Sequence, residues 1–121
     1  MLFRSAQTRK LYRIILLKNP DSEDNLLQIA TIYEKEYNLS EALKAFKKLN
    51  ALDSLNTFYW KELARVSIRM KRTKDAILYL KKALSIDDQD LESIASLSNL
   101  YLNKGDEDLA EPLIKRAFKL G

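Results

Sequence analysis

Apolar residues along this chain recur at intervals of three and four, the spacing that lines one face of an α-helix. Leu26, Ile29, Ala30 and Tyr33 form one such set, Trp60, Leu63, Ala64 and Ser67 a second, and Ile94, Leu97, Ser98 and Tyr101 a third. Between them lie shorter sets: Ala42, Phe46 and Leu49; Ala76, Leu80 and Ala83; Ala110, Ile114 and Ala117. Capping and breaking residues bound the helices these sets predict. A first helix runs over 4–18 and stops before Asn19-Pro20; Ser22 or Asp21 caps one over 23–37, and Ser40 one over 41–52. Asn56 caps the Trp60 helix, which runs to 71; Thr73 caps 74–86 and Asp90 caps 91–104. Gly105 fits a left-handed C-terminal cap. Asp108 and Glu111 form a capping box for the last helix, which puts Pro112 in its first turn, where a missing N–H costs little. No segment predicts a strand.

The sets repeat with a period of 34 residues when the segments from Glu23, Thr57 and Leu91 are aligned. Thr8, Tyr12 and Ile15 lie one period before Ala42, Phe46 and Leu49, and Pro20 falls at a repeat boundary. Small residues (Ala30, Ala64, Ser98; Ala42, Ala76, Ala110) recur where two helices must cross closely, with large ones such as Trp60, Phe46 and Tyr101 on either side. Each helix pair is too small to bury its own apolar face, so pairs stack on one another.

The pattern Trp60-x-x-Leu63-Ala64 followed by Ala76-x-x-x-Leu80-x-x-Ala83 resembles the tetratricopeptide repeat. The flanking repeats match through Leu26, Ile29, Ala30, Tyr33, Ala42 and Phe46, and through Tyr101, Gly105, Ala110 and Ala117. Ser67 in place of tyrosine, Leu49 in place of a small residue, and Ser54 and Asp88 in place of the boundary proline are departures. The resemblance implies an all-α fold, a right-handed α-solenoid of about seven helices in antiparallel pairs. Its expected divisions are a half repeat over 1–22 and repeats over 23–56, 57–90 and 91–121. Trp60 is expected in the core and Tyr59 at a repeat boundary, with Phe58 turned outward.

Composition narrows the chemistry. The 121 residues contain no cysteine and no histidine, which excludes disulfides, thiolate and imidazole catalysis, and zinc-type sites. No apolar run approaches the roughly 20 residues of a membrane span, and Ile14-Ile15-Leu16-Leu17 is too short for a signal peptide. The absence of cysteine is compatible with cytoplasm and bacterial periplasm alike. The clusters Asp87, Asp88, Asp90 and Asp106, Glu107, Asp108 sit at predicted helix starts, where carboxylates satisfy free N–H groups and the helix dipole. No catalytic residue, metal or cofactor is expected. The net charge of +4 is unevenly distributed: residues 1–18 are purely basic, and Lys61–Lys82 is strongly so. The stretch 83–111 is acidic apart from Lys104. That change of sign opposes a long phosphate track, so nucleic acid is not the expected partner.

In stacked helix pairs the first helix of each repeat lines the inner face. The residues avoiding the core there are Asp24, Leu27, Thr31, Glu34 and Lys35; then Phe58, Lys61, Arg65, Ile68 and Arg69; then Glu92, Ala95, Asn99, Leu102 and Asn103. Lys61, Arg65 and Arg69 step by four and form a cationic stripe. Ser96, Asn99 and Asn103 offer hydrogen bonds from the neighbouring repeat, and Phe58 and Leu102 offer apolar contacts. This combination suits a short acidic or carboxylate-bearing peptide. The family resemblance implies a scaffold that holds partner proteins without catalysis. One subgroup clamps a C-terminal carboxylate; Lys61 matches it, but Arg65 and Ser96 stand where its asparagines would be, so that function is not assigned. The chain opens on half a repeat and closes on Phe118-Lys119-Leu120-Gly121 without a polar capping helix. This predicts a piece of a longer repeat protein, or ends that pair with a partner or a second copy. The alternative readings are a structural segment without a groove ligand, and nucleic-acid binding through residues 4–18 and 61–82.

Overall fold

The computed structural model describes residues 7, 10, 11, 13, 14, 17–19 and 22–121. Six helices follow one another among them: α1 (Glu23–Lys35), α2 (Leu39–Leu52), α3 (Thr57–Arg69), α4 (Thr73–Ile86), α5 (Leu91–Lys104) and α6 (Glu107–Leu120). No described residue is in a strand. The helix expected over 4–18 lies partly outside the described residues, as do Thr8, Tyr12, Ile15 and Pro20. Its described members Gln7, Lys10, Leu11, Arg13, Ile14, Leu17 and Lys18 are helical and exposed.

The chain divides into two compact units, Met1–Tyr59 and Trp60–Gly121. In the first, α1 packs on α2 through Leu26, Ile29, Ala30 and Tyr33 against Ala42, Leu43, Ala45, Phe46 and Leu49, all buried. In the second, α4 packs on α5 and α5 on α6. Its core gathers Ala64, Ala76, Ile77, Leu80, Ile94, Leu97, Leu100, Tyr101, Ala110 and Leu113. The small residues are buried as expected: Ala30, Ala42, Ala76 and Ala110 have no exposed surface, and Ala64 and Ser98 are buried too.

The period is written in the backbone as well. The Asn38, Arg72 and Asp106 amides donate to the carbonyls of Tyr33, Ser67 and Tyr101, each at 2.8 Å. Those of Tyr37, Lys71 and Gly105 donate to Glu34, Ile68 and Leu102. All three turns therefore close the preceding helix through the same pair of bonds, and all three need a residue of positive φ. Gly105 supplies it at 84°, while Tyr37 at 60° and Lys71 at 61° enter the left-handed region despite their side chains.

Four caps differ from expectation: Asp90 keeps the N-cap place of α5 but its side chain makes no cap bond, and the other three are displaced. Asn38, Arg72 and Asp106, already tied down by those turn bonds, take the N-cap place, so α2 and α6 start ahead of Ser40 and Asp108, and α4 starts on Thr73 itself. Pro112 accordingly stands sixth in α6, not in its first turn. The carbonyl it leaves without an N–H belongs to the exposed residue Asp108, where water can satisfy it. Ser22 and Asn56 cap as expected, accepting from the amides of Asn25 (3.4 Å) and Phe58 (3.0 Å). Trp60, expected in the core, is only half-buried, its ring 6.1 Å from that of Tyr79, whereas Tyr59 is buried.

Candidate functional site

Helices α3 and α5 carry most of the candidate residues because each is the first helix of its pair. Within the second unit they bound a recess of about 100 Å³, lined by Lys61, Glu62, Ala64, Arg65, Ile68, Leu80, Glu92 and Ser96. Three of the eight sequence-derived candidates, Lys61, Arg65 and Ser96, are thus brought together. Asn99 goes elsewhere. It lines a wider, mostly apolar recess of about 340 Å³ with Ala95, Ser98, Ile114, Ala117, Phe118 and Gly121. Arg69, Leu102 and Asn103 lie on the exposed surface. Phe58 belongs to the first unit; it is turned outward and packs its ring at 5.8 Å and 59° against Tyr59.

The stripe of cations is not bare. The Lys61 ammonium lies 3.3 Å from an Asp90 carboxylate oxygen and 3.2 Å from one of Glu92, across from α3 at the start of α5. Arg65 donates through Nε (3.2 Å) and Nη2 (2.5 Å) to both oxygens of Glu62, a bidentate pair one turn away on its own helix. Glu62 and Asp90 are the neighbours that sequence reasoning missed; it places Glu92 on the inner face, but not as a counterion of Lys61. The Glu62–Arg65 spacing of three was legible as a helix pair. Nothing in the sequence placed Asp90 and Glu92 over Lys61, because that contact depends on how α5 lies on α3.

Partial burial by itself lowers the lysine's proton affinity, but the hydrogen bonds to Glu92 and Asp90 and the two negative charges outweigh it and leave the pKa raised. Asp90 also accepts from the Ser93 hydroxyl at 2.5 Å, so its carboxylate spans two side chains and does not cap α5. Among the described residues no group of three acidic side chains is arranged to hold a metal ion. No described helix is long and apolar enough to cross a membrane.

Paired helices, identical turns every 34 residues and small residues at each crossing define a helical-repeat protein of the α-solenoid class. The tetratricopeptide repeat profile matches residues 59–90 and 91–120, about half the chain. The chain belongs to the tetratricopeptide repeat family. Among solved structures it is similar to a crystal structure of MamA, with a TM-score of 0.81 at 19% identity over 93% of this chain and 66% of that one. MamA 41-end from Desulfovibrio magneticus RS-1 gives 0.83 at 14% identity, over 98% and 67%. The MamA RS-1 ArsTM double mutant gives 0.84 at 14% identity, over 98% and 67%. The chain spans 66% and 64% of the first two MamA chains, just under two thirds of their length. At these identities the likeness concerns the fold. No curated protein sequence matches the chain significantly. Membership of this family supports a role in protein–protein interaction or scaffolding, on a fold that is generally non-enzymatic.

Proposed function

We propose that the chain is a non-catalytic scaffold that binds an extended, carboxylate-bearing segment of a partner protein across α3 and α5. The observation carrying this reading is the recess that brings Lys61, Arg65 and Ser96 together beside the apolar side chains of Ile68 and Leu80. An extended peptide needs such a mixture: charge and hydroxyl donors for its carboxylates and backbone, and apolar contact for its side chains. Within the second unit, Arg69, Asn99, Leu102 and Asn103 extend the candidate face beyond the recess. Lys61 and Arg65 are already paired with Asp90, Glu92 and Glu62, so the partner exchanges one ion pair for another. Such exchange gives specificity and modest affinity.

A second reading, a structural or self-associating segment, draws on the wider recess beside Asn99. Ile114 and Phe118 border it, and Phe118 is 81% exposed. A large aromatic so placed favours contact with another copy or repeat. One experiment separates the two. Reversing charge at Arg65 and Arg69 (Arg65→Glu with Arg69→Glu) should abolish affinity capture of partners if α3 and α5 hold them. Unchanged capture would overturn the groove reading in favour of the structural one.

A further inference from the structure

The two carboxylates on Lys61 are held very differently. The Asp90 side chain is 16% exposed and bonded to Ser93, so it is fixed. The Glu92 side chain is 74% exposed and reaches Lys61 with one oxygen at 3.2 Å. A single buried carboxylate suffices to balance one ammonium. The second is surplus: Lys61 and Arg65 supply two positive charges, whereas Glu62, Asp90 and Glu92 supply three negative ones.

We infer that Glu92 is a built-in stand-in for the partner's carboxylate, occupying the outer side of the Lys61 ammonium until an incoming carboxylate displaces it into solvent. This rests on the reading of the recess given above and adds the residue that sets its strength and charge preference. An ion pair with a partner so exposed is weakly held, so releasing it costs little. While Glu92 remains nearby, however, its charge repels an entering anion at a separation of a few ångströms. Asp90 cannot take this role, because displacing it would leave the hydroxyl of the buried Ser93 without its acceptor. Ser96 stands one turn beyond Glu92 on α5 and also lines the recess, offering a hydroxyl donor to the second oxygen of the arriving carboxylate. Glu92 thereby acts as a selectivity element: weakly acidic segments fail to displace it, and segments with a well-placed carboxylate succeed.

The test uses fluorescence anisotropy with a labelled hexapeptide of alternating leucine and glutamate carrying a free C-terminus. A second probe replaces each glutamate by glutamine and amidates the terminus. Glu92→Gln should bind the acidic probe about three- to fivefold more tightly than the parent protein, the size of one exposed ion pair. Binding of the neutral probe should change by less than about twofold, and the thermal midpoint should fall only by the small amount that one exposed ion pair contributes. If the parent binds the acidic probe and Glu92→Gln binds it no better, the stand-in role is overturned and the recess reading survives. Equal gains on both probes would mean a change of shape and would likewise overturn it. If neither protein binds the acidic probe, both readings fall together.

Discussion

Ser67 occupies the place held by Tyr33 one period earlier and Tyr101 one period later. It has no exposed surface, and its hydroxyl has no hydrogen-bond partner. A buried hydroxyl that has lost water and gained nothing is a net cost of about 1–3 kcal/mol. Removing it should therefore help. Ser67→Ala is expected to stabilise the protein by about 1 kcal/mol, raising the melting midpoint by roughly 3–5 °C. Part of any gain comes from alanine's better helix propensity. Ser85→Ala provides the comparison, because Ser85 is an exposed residue of the neighbouring helix α4 whose hydroxyl donates to the Lys82 carbonyl. A Ser67→Ala gain no larger than that of Ser85→Ala, measured by calorimetry, would mean that the orphaned hydroxyl costs nothing.

Whole elements show what pattern can and cannot convey. Helix periodicity reports which face is apolar, and that information located all six described helices, with starts and ends displaced by a few residues. The displacements share one cause. Ser40, Thr73 and Asp108 are good capping residues by chemistry, yet the chain leaves each preceding turn with Asn38, Arg72 or Asp106 already bonded backward, and the helix begins there. Turn geometry overrode side-chain preference. The same turns hold a second illegible feature, the positive φ of Tyr37 and Lys71, where only the third repeat shows a glycine. Left-handed backbone costs a residue with a Cβ roughly 1 kcal/mol relative to glycine, offset in part by glycine's freer unfolded chain. Lys71→Gly should thus stabilise by roughly 0.5–1 kcal/mol, and Gly105→Ala should destabilise by about as much. Nothing lies within 4 Å of a Cβ placed at Gly105, so the second effect is purely conformational. Urea denaturation of both variants checks the pair, and shifts of equal sign would contradict the shared turn.

At the scale of the whole molecule, the cations of the candidate site could be read from one strand of text, whereas the acids that balance them could not. Lys61, Arg65 and Arg69 form a stripe because all three belong to one helix. Asp90 and Glu92 reach Lys61 only through the packing of two helices, which no local spacing encodes. That arrangement has a consequence for how the protein responds to pH. Burial first, then the carboxylates of Glu23, Asp53 and Asp24 and a hydrogen bond from its hydroxyl to Glu23, raise the pKa of Tyr59 above its ordinary 10.0. Burial and Asp75 raise that of Tyr79, with Arg72 opposing them. Lys61 is raised above 10.5 by Glu92 and Asp90 against the opposing effect of its burial. In all three the folded protein holds the proton more tightly than the unfolded chain does. Their stabilisation is therefore complete below about pH 10 and is lost as pH climbs from the unfolded values through the higher folded ones. The urea midpoint should stay flat through neutral pH and fall above pH 10. Tyr79→Phe keeps the ring against Trp60 and removes the ionisable hydroxyl, so it should make that fall shallower, and Lys61→Met should do the same by removing the ammonium. A midpoint indifferent to pH up to 11, or variants that fall as steeply as the parent, would show that these protons are held no more tightly in the folded state than in the unfolded one.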